Sequence, residues 1–433
     1  MNREENDLLT QTDRGTPCGE LMRRYWQPIA LSEELPSGGA PLAVRILGED
    51  LVLFRDDKGR PGLLEIHCSH RGADLSYGRV EDGGIRCLYH GWLYDINGCV
   101  IEAPADRRVS PTELARIRHP SYPCQEKAGS IFAYLGPGDP PHFPNYEFLS
   151  VPPDHVYGIK ILHECNYLQA NEGNIDLSHL SFLHYNRENR GIGGEVGGPL
   201  LAAQAAISKT GADTESEAVD VELTRYGVRS YKIRHNVEPE KYHLYITEFV
   251  LPNFTSFPGR FRGWYGYAVN WHVPIDDKRH WKYTFMFRRD MPIDREHLAK
   301  SRADIDADYK PLANKTNHYR QDRESMKVES YSGLGKRPDG GITFQIQDLW
   351  ATEGQGAIQD RTREHLMPSD QAVLATRKIL VKAIRDLQEG REPANVARDV
   401  AKNQFPIVSL NEMLPDSKHW RERAKELEKE VTV

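Results

Sequence analysis

The sequence predicts an α+β protein of two domains: an all-β N-terminal domain with a short helical segment (1–152), and a C-terminal domain (153–433) whose antiparallel sheet is flanked by helices. Three observations predict this class. Short strand-like runs fill residues 41–135, a second set of strands fills 215–290, and helical periodicity returns near the C-terminus. A chain of 433 residues also exceeds what one hydrophobic core usually holds.

In the N-terminal domain, residues 4–25 carry leucines at helical spacing, and the sequence Gly15–Pro17 interrupts them. The runs that follow are short and rich in Val, Leu and Ile. Asp57–Gly59 and Asn97–Gly98 are typical hairpin turns between such strands. The proline-rich segment 137–153 predicts the connection between the two domains.

The C-terminal domain begins with a segment, 163–186, whose polar and apolar residues follow a helical period. Tyr, Trp and Val then dominate 215–290, which predicts one antiparallel sheet. An amphipathic helix is expected over 369–389 and a charged surface helix over 416–430.

Composition excludes several classes of function. The net charge of −7 comes without a concentrated basic patch, so nucleic-acid binding is not expected. No window approaches about 18 uninterrupted apolar residues, so no membrane span is expected. The first residues are acidic where a signal peptide needs an apolar core. We therefore expect a cytoplasmic protein without a membrane anchor.

The six cysteines are expected to be reduced thiols, as in other large cytosolic proteins. Clustered cysteines are then better explained by metal binding than by disulfides. The remaining four have no partner at ligand spacing and are predicted to be buried structural thiols: Cys18, Cys99, Cys124 and Cys165.

Two Cys–His pairs form the first candidate metal site. Cys68 and His70 are separated by one residue, sixteen residues follow, and Cys87 and His90 are separated by two. Two cysteines and two histidines can hold zinc, but zinc-finger histidines usually follow both cysteines on a helix. Here each loop supplies one of each kind. That arrangement suits a [2Fe–2S] cluster with thiolates on one iron and imidazoles on the other.

The surrounding sequences, CSHRGADLSYGR and CLYHGWLYD, resemble the signatures of the Rieske domain in aromatic-ring oxygenases. The resemblance implies a Rieske-type [2Fe–2S] cluster on Cys68, His70, Cys87 and His90. Ser69 stands where the family usually has proline, and this position is not a ligand.

A second dense run of ligand-type side chains lies between Asn166 and His184. On a helix, Asp176 and His179 would share one face, whereas His184 would point off it. The two histidines can meet one metal only if the helix is distorted or ends there. Two imidazoles and one carboxylate form the facial triad that leaves positions open on Fe(II) for O2 and substrate.

The segment CNYLQANEGNIDLSHLSFLH resembles the mononuclear-iron helix of Rieske oxygenases of the phthalate dioxygenase-like group. The resemblance implies that His179 and His184 bind Fe(II), together with an aspartate far downstream. Asp348 in IQDLWATEGQG is the best match. Asp360 in IQDRTREHL is the alternative, although its sequence is more typical of an arginine-paired structural aspartate.

The same resemblance implies a homotrimer in which the cluster of one subunit serves the iron of the next. Asp176 would then connect His90 of one chain to His179 of its neighbour. A carboxylate between two imidazoles fixes their orientation and provides a short hydrogen-bonded path for an electron.

The resemblance covers nearly the whole chain, and it implies a Rieske non-heme iron oxygenase with a helix-grip-like catalytic domain. Such a terminal oxygenase activates O2 at Fe(II) to hydroxylate, dihydroxylate or O-demethylate an aromatic substrate that carries a carboxylate or derives from lignin. A separate NAD(P)H-dependent reductase of the flavin or ferredoxin type supplies electrons. Consistent with this, the glycine-rich stretches 191–198 and 333–341 match no nucleotide-binding pattern.

Arg260 and Arg262 are candidate partners for a substrate carboxylate. Two alternatives to an oxygenase remain open from the sequence. An electron carrier would bind no metal in 163–186, and a zinc-stabilised binding module would be colourless.

Overall fold

The computed structural model describes residues 1–105, 108–186, 191–192, 217–258, 265–337 and 343–431. Arg260 and Arg262 lie outside these residues. The helices are α1 (Arg3–Thr10), α2 (Pro17–Arg23), α3 (Pro111–Leu114), α4 (Glu147–Ser150), α5 (Tyr167–Ile175), α6 (Arg295–Ala299), α7 (Ser325–Val328), α8 (Phe344–Glu353), α9 (Gln371–Gln388) and α10 (Trp420–Val431).

The N-terminal half is built from three antiparallel sheets, as its strand-like texture predicts. Their strand orders are β1–β11–β10, β2–β3–β4–β9 and β5–β6–β7–β8. The strands are β1 (Trp26–Leu31), β2 (Leu42–Ile46), β3 (Glu49–Arg55), β4 (Pro61–Glu65), β5 (Arg79–Glu81), β6 (Gly84–Arg86), β7 (Leu93–Asp95), β8 (Val100–Glu102), β9 (Ser121–Tyr122), β10 (Cys124–Lys127) and β11 (Ser130–Tyr134). The two Cys–His loops follow β4 and connect β6 to β7.

The C-terminal half contains an eight-stranded antiparallel sheet in the order β12–β20–β19–β18–β17–β16–β15, with β21 also paired to β17. A two-stranded hairpin, β13–β14, lies apart from it. The strands are β12 (Val156–His163), β13 (Tyr185–Asn186), β14 (Gly191–Ile192), β15 (Glu217–Leu223), β16 (Gly227–Glu238), β17 (Lys241–Val250), β18 (Phe254–Pro258), β19 (Tyr267–Asp276), β20 (Arg279–Phe287) and β21 (Leu410–Pro415). Helices α5 and α9 pack against this sheet and against each other. The mixed α+β class predicted from the sequence is thus confirmed.

The proline-rich connection is packed against both halves. The Trp26 indole N–H donates to the Pro141 carbonyl at 3.1 Å, and the His142 amide donates to the Ala397 carbonyl at 2.9 Å. Phe148 in α4 is fully buried in a core shared by the two halves. The domain boundary at 152/153 stays a prediction.

The helical period of 163–186 corresponds to a helix over only part of the segment, and this helix ends before the two histidines. Strand β12 extends to His163, Tyr167–Ile175 is α-helical, and His179–Ser181 forms a separate 3-10 turn. The Asn166 side chain caps this helix by accepting from the Leu168 amide at 3.1 Å. At the other end the Asp176 carboxylate accepts from the Ser178 amide at 2.7 Å. Such a local turn competes with helical hydrogen bonding, so the helix ends before the first histidine.

All six cysteines are free thiols. Cys18 and Cys165 are buried, as predicted, whereas Cys99 and Cys124 are only partly buried, so full burial was wrong for that pair. Within the described ranges, no helix is both long enough and apolar enough to cross a membrane.

Candidate metal sites

The two Cys–His loops have the same backbone fold. The Cys68 carbonyl accepts from the Gly72 amide at 2.7 Å, and the Cys87 carbonyl accepts from the Gly91 amide at 3.0 Å. Each cysteine amide also donates to the carbonyl five residues further on, at 2.9 and 2.8 Å. Both glycines have positive φ, +72° and +79°, which side-chain-bearing residues rarely adopt. These turns therefore fix the backbone conformation that carries each Cys–His pair.

The two thiols point inward. Cys68 and Cys87 are each 3% exposed, and the Tyr94 hydroxyl lies 3.0 Å from the Cys68 sulfur. Burial, with a further contribution from the neighbouring Cys68 thiol, raises the pKa of Cys87. Binding to a metal cation reverses that preference because a coordinating thiol is deprotonated.

The two imidazoles lie on the outer side. His70 is exposed and His90 is half-buried, and their ring centroids are 4.4 Å apart in an edge-to-face arrangement. The Trp92 ring stacks on His70 at 4.8 Å. The two thiols thus lie together on the buried side of the loops, and the two imidazoles lie together on the exposed side.

This separation opposes a single zinc ion, around which all donor atoms must lie close together. Among the residues that the structure describes, the only His, Cys, Asp or Glu group with three or more ligand atoms within 4.8 Å of one another lies elsewhere in the chain. The cysteine–histidine loops instead have the donor arrangement of a two-iron cluster.

That compact group is His179, His184 and Asp348. The Asp348 Oδ1 atom lies 3.0 Å from His184 Nε2 and 3.7 Å from His179 Nε2. The histidines come from the loop after α5 and the aspartate from α8. Adjacent ligands at an octahedral metal with bonds of about 2.1 Å are about 3 Å apart, so one ion fits all three donors.

The electrostatics of this group favour a cation. Burial alone would raise the pKa of Asp348, but the adjacent His184 and His179 hold it at about 2. Burial works against protonation of His179, yet the carboxylates of Asp176 and Asp348 raise its pKa. Two imidazoles and an ionised carboxylate are the donor set of non-heme Fe(II) oxygenases.

Asp176 lies on the opposite side of His179 from Asp348. Its Oδ2 atom is 3.7 Å from His179 Nδ1, and the side chain is 28% exposed. Asp360, the alternative third ligand, does not belong to the group. It pairs with Arg3 at 3.0 Å and caps a short turn through Thr362, which is the structural role its sequence indicates.

Three residues near this site were missed by the sequence reasoning. Gln347, directly before Asp348, contacts His184 Nδ1 at 2.5 Å. Lys232 and Arg234, alternate residues of β16, donate to the loop that carries His179. The adjacency of Gln347 to the aspartate and the i, i+2 spacing of the two cations were the available signals.

Two family models together match most of the chain. Residues 25–122 match the Rieske [2Fe-2S] domain, and residues 133–432 match the family described as LigXa C-terminal domain like.

Full-length relatives give the same picture. The chain is 32% identical to the phthalate 4,5-dioxygenase oxygenase subunit of Pseudomonas putida, covering 98% of this chain and 94% of that protein. It is 30% identical to the 5,5'-dehydrodivanillate O-demethylase oxygenase subunit of a Sphingobium species, covering 95% and 87%. The terminal oxygenase of carbazole 1,9a-dioxygenase from Nocardioides aromaticivorans has the same fold, with a TM-score of 0.55 at 19% identity over 88% of this chain and 97% of that one.

Proposed function

The chain belongs to the Rieske non-heme iron oxygenases, in the phthalate dioxygenase-like group, and we propose that His179, His184 and Asp348 hold its catalytic iron. The observation that carries this proposal is the convergence of three donor atoms within 4.8 Å of one another. We propose further that the Rieske cluster is held by the two Cys–His loops, with Cys68 and Cys87 on one iron and His70 and His90 on the other.

The protein is the terminal oxygenase component of its system. When bound, the cluster and the Fe(II) supply single-electron transfer and O2 activation. The chain contributes the geometry. His179, His184 and Asp348 occupy one side of the metal position, and the loop after α5 and helix α8 fix them there. Such a set of three protein ligands would leave positions on Fe(II) for O2 and substrate.

The two other candidate functions are disfavoured by specific observations. A pure electron carrier needs no second metal site, yet a complete three-ligand group is present. A zinc-stabilised module needs four converging donors in the Cys–His loops, whereas these loops separate thiols from imidazoles.

For the substrate, we propose an aromatic compound with a carboxylate group. Lys232 and Arg234 are both more than nine-tenths buried, and buried cations of this kind attract anionic ligands. The Lys232 ammonium donates to the Leu177 carbonyl at 2.8 Å, and the Arg234 guanidinium donates to the Ser181 hydroxyl at 2.7 Å. Leu177 and Ser181 are each two positions from His179, so both cations lie beside the loop that carries this proposed iron ligand.

The same face of the sheet carries buried hydroxyls. Ser230 of β16 is paired with Thr247 of β17. Phe249, two residues further along β17, is paired with Thr255 of β18, so the three hydroxyl residues lie on one face of the sheet. Their three oxygens have no hydrogen-bond partner within the described ranges. These oxygens are enclosed by protein, so they make this face of the sheet polar. A polar face with two buried cations next to the His179 loop suits an aromatic acid better than a purely apolar ring.

The substrate proposal is tested by oxygen uptake with a panel of aromatic acids and a surrogate reductase, with product analysis. Methoxylated acids are included because hydroxylation of a methoxy carbon releases formaldehyde, which identifies O-demethylation. The proposal is supported if aromatic acids give oxygen uptake coupled to product formation and their methyl esters give neither. Equal turnover of acids and esters contradicts it.

The variant Arg234→Met tests the cation directly. Loss of a charge-assisted hydrogen bond worth about 1.5–3 kcal/mol should raise KM for the acid by about 10- to 100-fold. Iron content must stay at the wild-type level, since Arg234 also contacts the metal-bearing loop. Lys241→Met is the matched control, because Lys241 is an exposed cation on the next strand.

Electrons are proposed to come from a separate NAD(P)H-dependent reductase of the flavin or ferredoxin type. The carbazole 1,9a-dioxygenase oxygenase is known in complex with a ferredoxin, which supports a protein donor. We place the protein in the cytoplasm as a homotrimer, in which Asp176 connects His90 of one subunit to His179 of the next. His90 is partly exposed and the Asp176 side chain is 28% exposed, so both groups are accessible to a neighbour.

Subunit mixing tests the trimer. Light scattering should give three chains per particle. Co-expressed Cys68→Ser and Asp348→Asn chains should then form mixed trimers with activity that neither variant has alone, because a cluster from one chain meets an iron in the next. Complete inactivity of verified mixed trimers contradicts electron transfer between subunits.

A further inference from the structure

His184 is held by three residues of one helix. Phe344 packs against its ring with centroids 4.5 Å apart, Gln347 contacts its Nδ1 atom, and Asp348 contacts its Nε2 atom. Positions 344, 347 and 348 are three and four apart, so they lie on one face of α8. Phe344 supplies packing and Asp348 a carboxylate. The amide of Gln347, with the side chain only 2% exposed, has no role in the proposed function.

The orientation of this amide follows from its two contacts. The Leu334 carbonyl, which can only accept, lies 3.0 Å from Gln347 Nε2, so the amide nitrogen must face it. The amide oxygen, which also can only accept, then lies 2.5 Å from His184 Nδ1. His184 must therefore carry a proton on Nδ1.

With its proton on Nδ1, a neutral His184 presents the lone pair of Nε2 to Asp348 Oδ1 at 3.0 Å. Two acceptors at this distance repel each other unless a metal ion or a second proton lies between them. The amide thus sets the imidazole in the one tautomer that can bind a metal at this position.

The Leu334 carbonyl is itself held firmly. The next residue, Gly335, has a φ of +77° and accepts from the Thr343 amide at 2.8 Å. A Cβ at Gly335 would meet the Thr343 carbonyl oxygen at 2.3 Å, so the chain passes closely there. The amide of Gln347 is therefore anchored to backbone and not to another mobile side chain.

We propose that Gln347 is a positioning residue that fixes the tautomer and ring orientation of His184 for Fe(II). The two proposed histidine ligands differ in this respect. His179 turns its Nδ1 toward the Asp176 carboxylate at 3.7 Å, whereas His184 turns its Nδ1 toward a neutral amide. The inference rests on the proposed function, since it takes His184 as an iron ligand. Removal of such an outer partner typically weakens metal affinity by about 10- to 100-fold.

The test compares the Fe(II) dissociation constants of Gln347→Leu, Gln347→Glu and wild type by competition with a chelator. The visible absorbance of the cluster reports folding in the same samples. Gln347→Leu should bind Fe(II) about 10- to 100-fold more weakly. Gln347→Glu should recover most of the affinity, because its carboxylate still accepts from His184 Nδ1. Gln345→Leu is the matched control, a buried glutamine on the same helix, and should bind as wild type does.

The outcomes separate the two proposals. The inference is overturned if Gln347→Leu binds Fe(II) as tightly as wild type. It is also overturned if Gln347→Glu binds as weakly as Gln347→Leu. A glutamate at 347 cannot donate to the Leu334 carbonyl. Weak Fe(II) binding by Gln347→Glu would therefore mean that Gln347 acts by holding the backbone at Leu334. If wild type itself binds no metal beyond the cluster, the proposed function fails first.

Discussion

Replacing Glu172 with glutamine should destabilise the protein strongly. The Glu172 carboxylate is buried in α5 and accepts from Arg361 at 2.8 Å and from Arg377 at 2.6 Å. Arg377 keeps a second carboxylate partner in Glu364. Arg361 is fully buried, and its remaining contacts are longer, 3.3 Å to Asn6 and 3.5 Å to a carbonyl. The substitution therefore leaves a buried charge without compensation.

Breaking a buried ion pair by removal of one partner costs about 3–5 kcal/mol. With an m-value of about 3 kcal/mol/M in urea, that cost lowers the unfolding midpoint by about 1 M or more. Burial disfavours the charged form, but Arg361 and Arg377 lower the pKa of Glu172. A lowered pKa contributes stability above the ordinary carboxyl pKa and loses it as pH falls through the folded value. The difference from wild type should thus be full at pH 7 and shrink below about pH 4.

The assay is urea unfolding followed by tryptophan fluorescence at pH 7. Asp360→Asn is the control, because Asp360 pairs with Arg3 at the surface, where solvent screening leaves little stabilisation to lose. The double variant Glu172→Leu with Arg361→Leu should regain part of the loss, since no buried charge remains unpaired. An unchanged midpoint for Glu172→Gln would refute the reasoning.

Three further predictions concern the metal sites. Asp176→Asn should retain both metal centres but slow oxidation of the reduced cluster by O2 in stopped-flow absorbance, and a wild-type rate would contradict the bridging role. Tyr94→Phe removes the hydroxyl 3.0 Å from the Cys68 sulfur. A hydrogen bond of about 1 kcal/mol corresponds to roughly 40 mV for one electron, so the cluster potential in a spectroelectrochemical titration should fall by that order. An unchanged potential would mean that the hydroxyl does not donate to the sulfur. Asp348→Asn should abolish mononuclear iron binding and substrate-dependent O2 uptake while the cluster spectrum stays, and retention of that iron would exclude Asp348 as a ligand.

The Cys–His loops could be predicted from sequence because their chemistry is local. Each turn lies within about five residues, and the glycines at its end mark the positive φ that it requires. The sheet of the C-terminal half was also predictable from its aromatic and β-branched composition.

The segment around His179 was predicted only in part. Its residues have good helical spacing, but the Asp176 side chain captures a backbone amide and ends the helix. The period of a sequence does not report such local competition. With the helix ended, His179 and His184 no longer need to share a helical face, which is how they meet Asp348.

The contacts of Gln347, Lys232 and Arg234 depend on long-range packing. Gln347 and His184 are 163 positions apart in sequence. The neighbours of Lys232 and Arg234 depend on the pairing register of β16 with β17, and no local sequence pattern determines this register. A single sequence shows which residue types are available, and the three-dimensional packing decides which of them meet.

Metal analysis of wild type beside the double variant His179→Ala with His184→Ala tests the central claim most directly. Wild type should be red-brown and contain about three irons and about two acid-labile sulfides per chain. The variant should keep its colour and sulfide and contain about two irons, with no O2 uptake. A variant that keeps the third iron, or a colourless wild-type protein that contains zinc, would contradict the account.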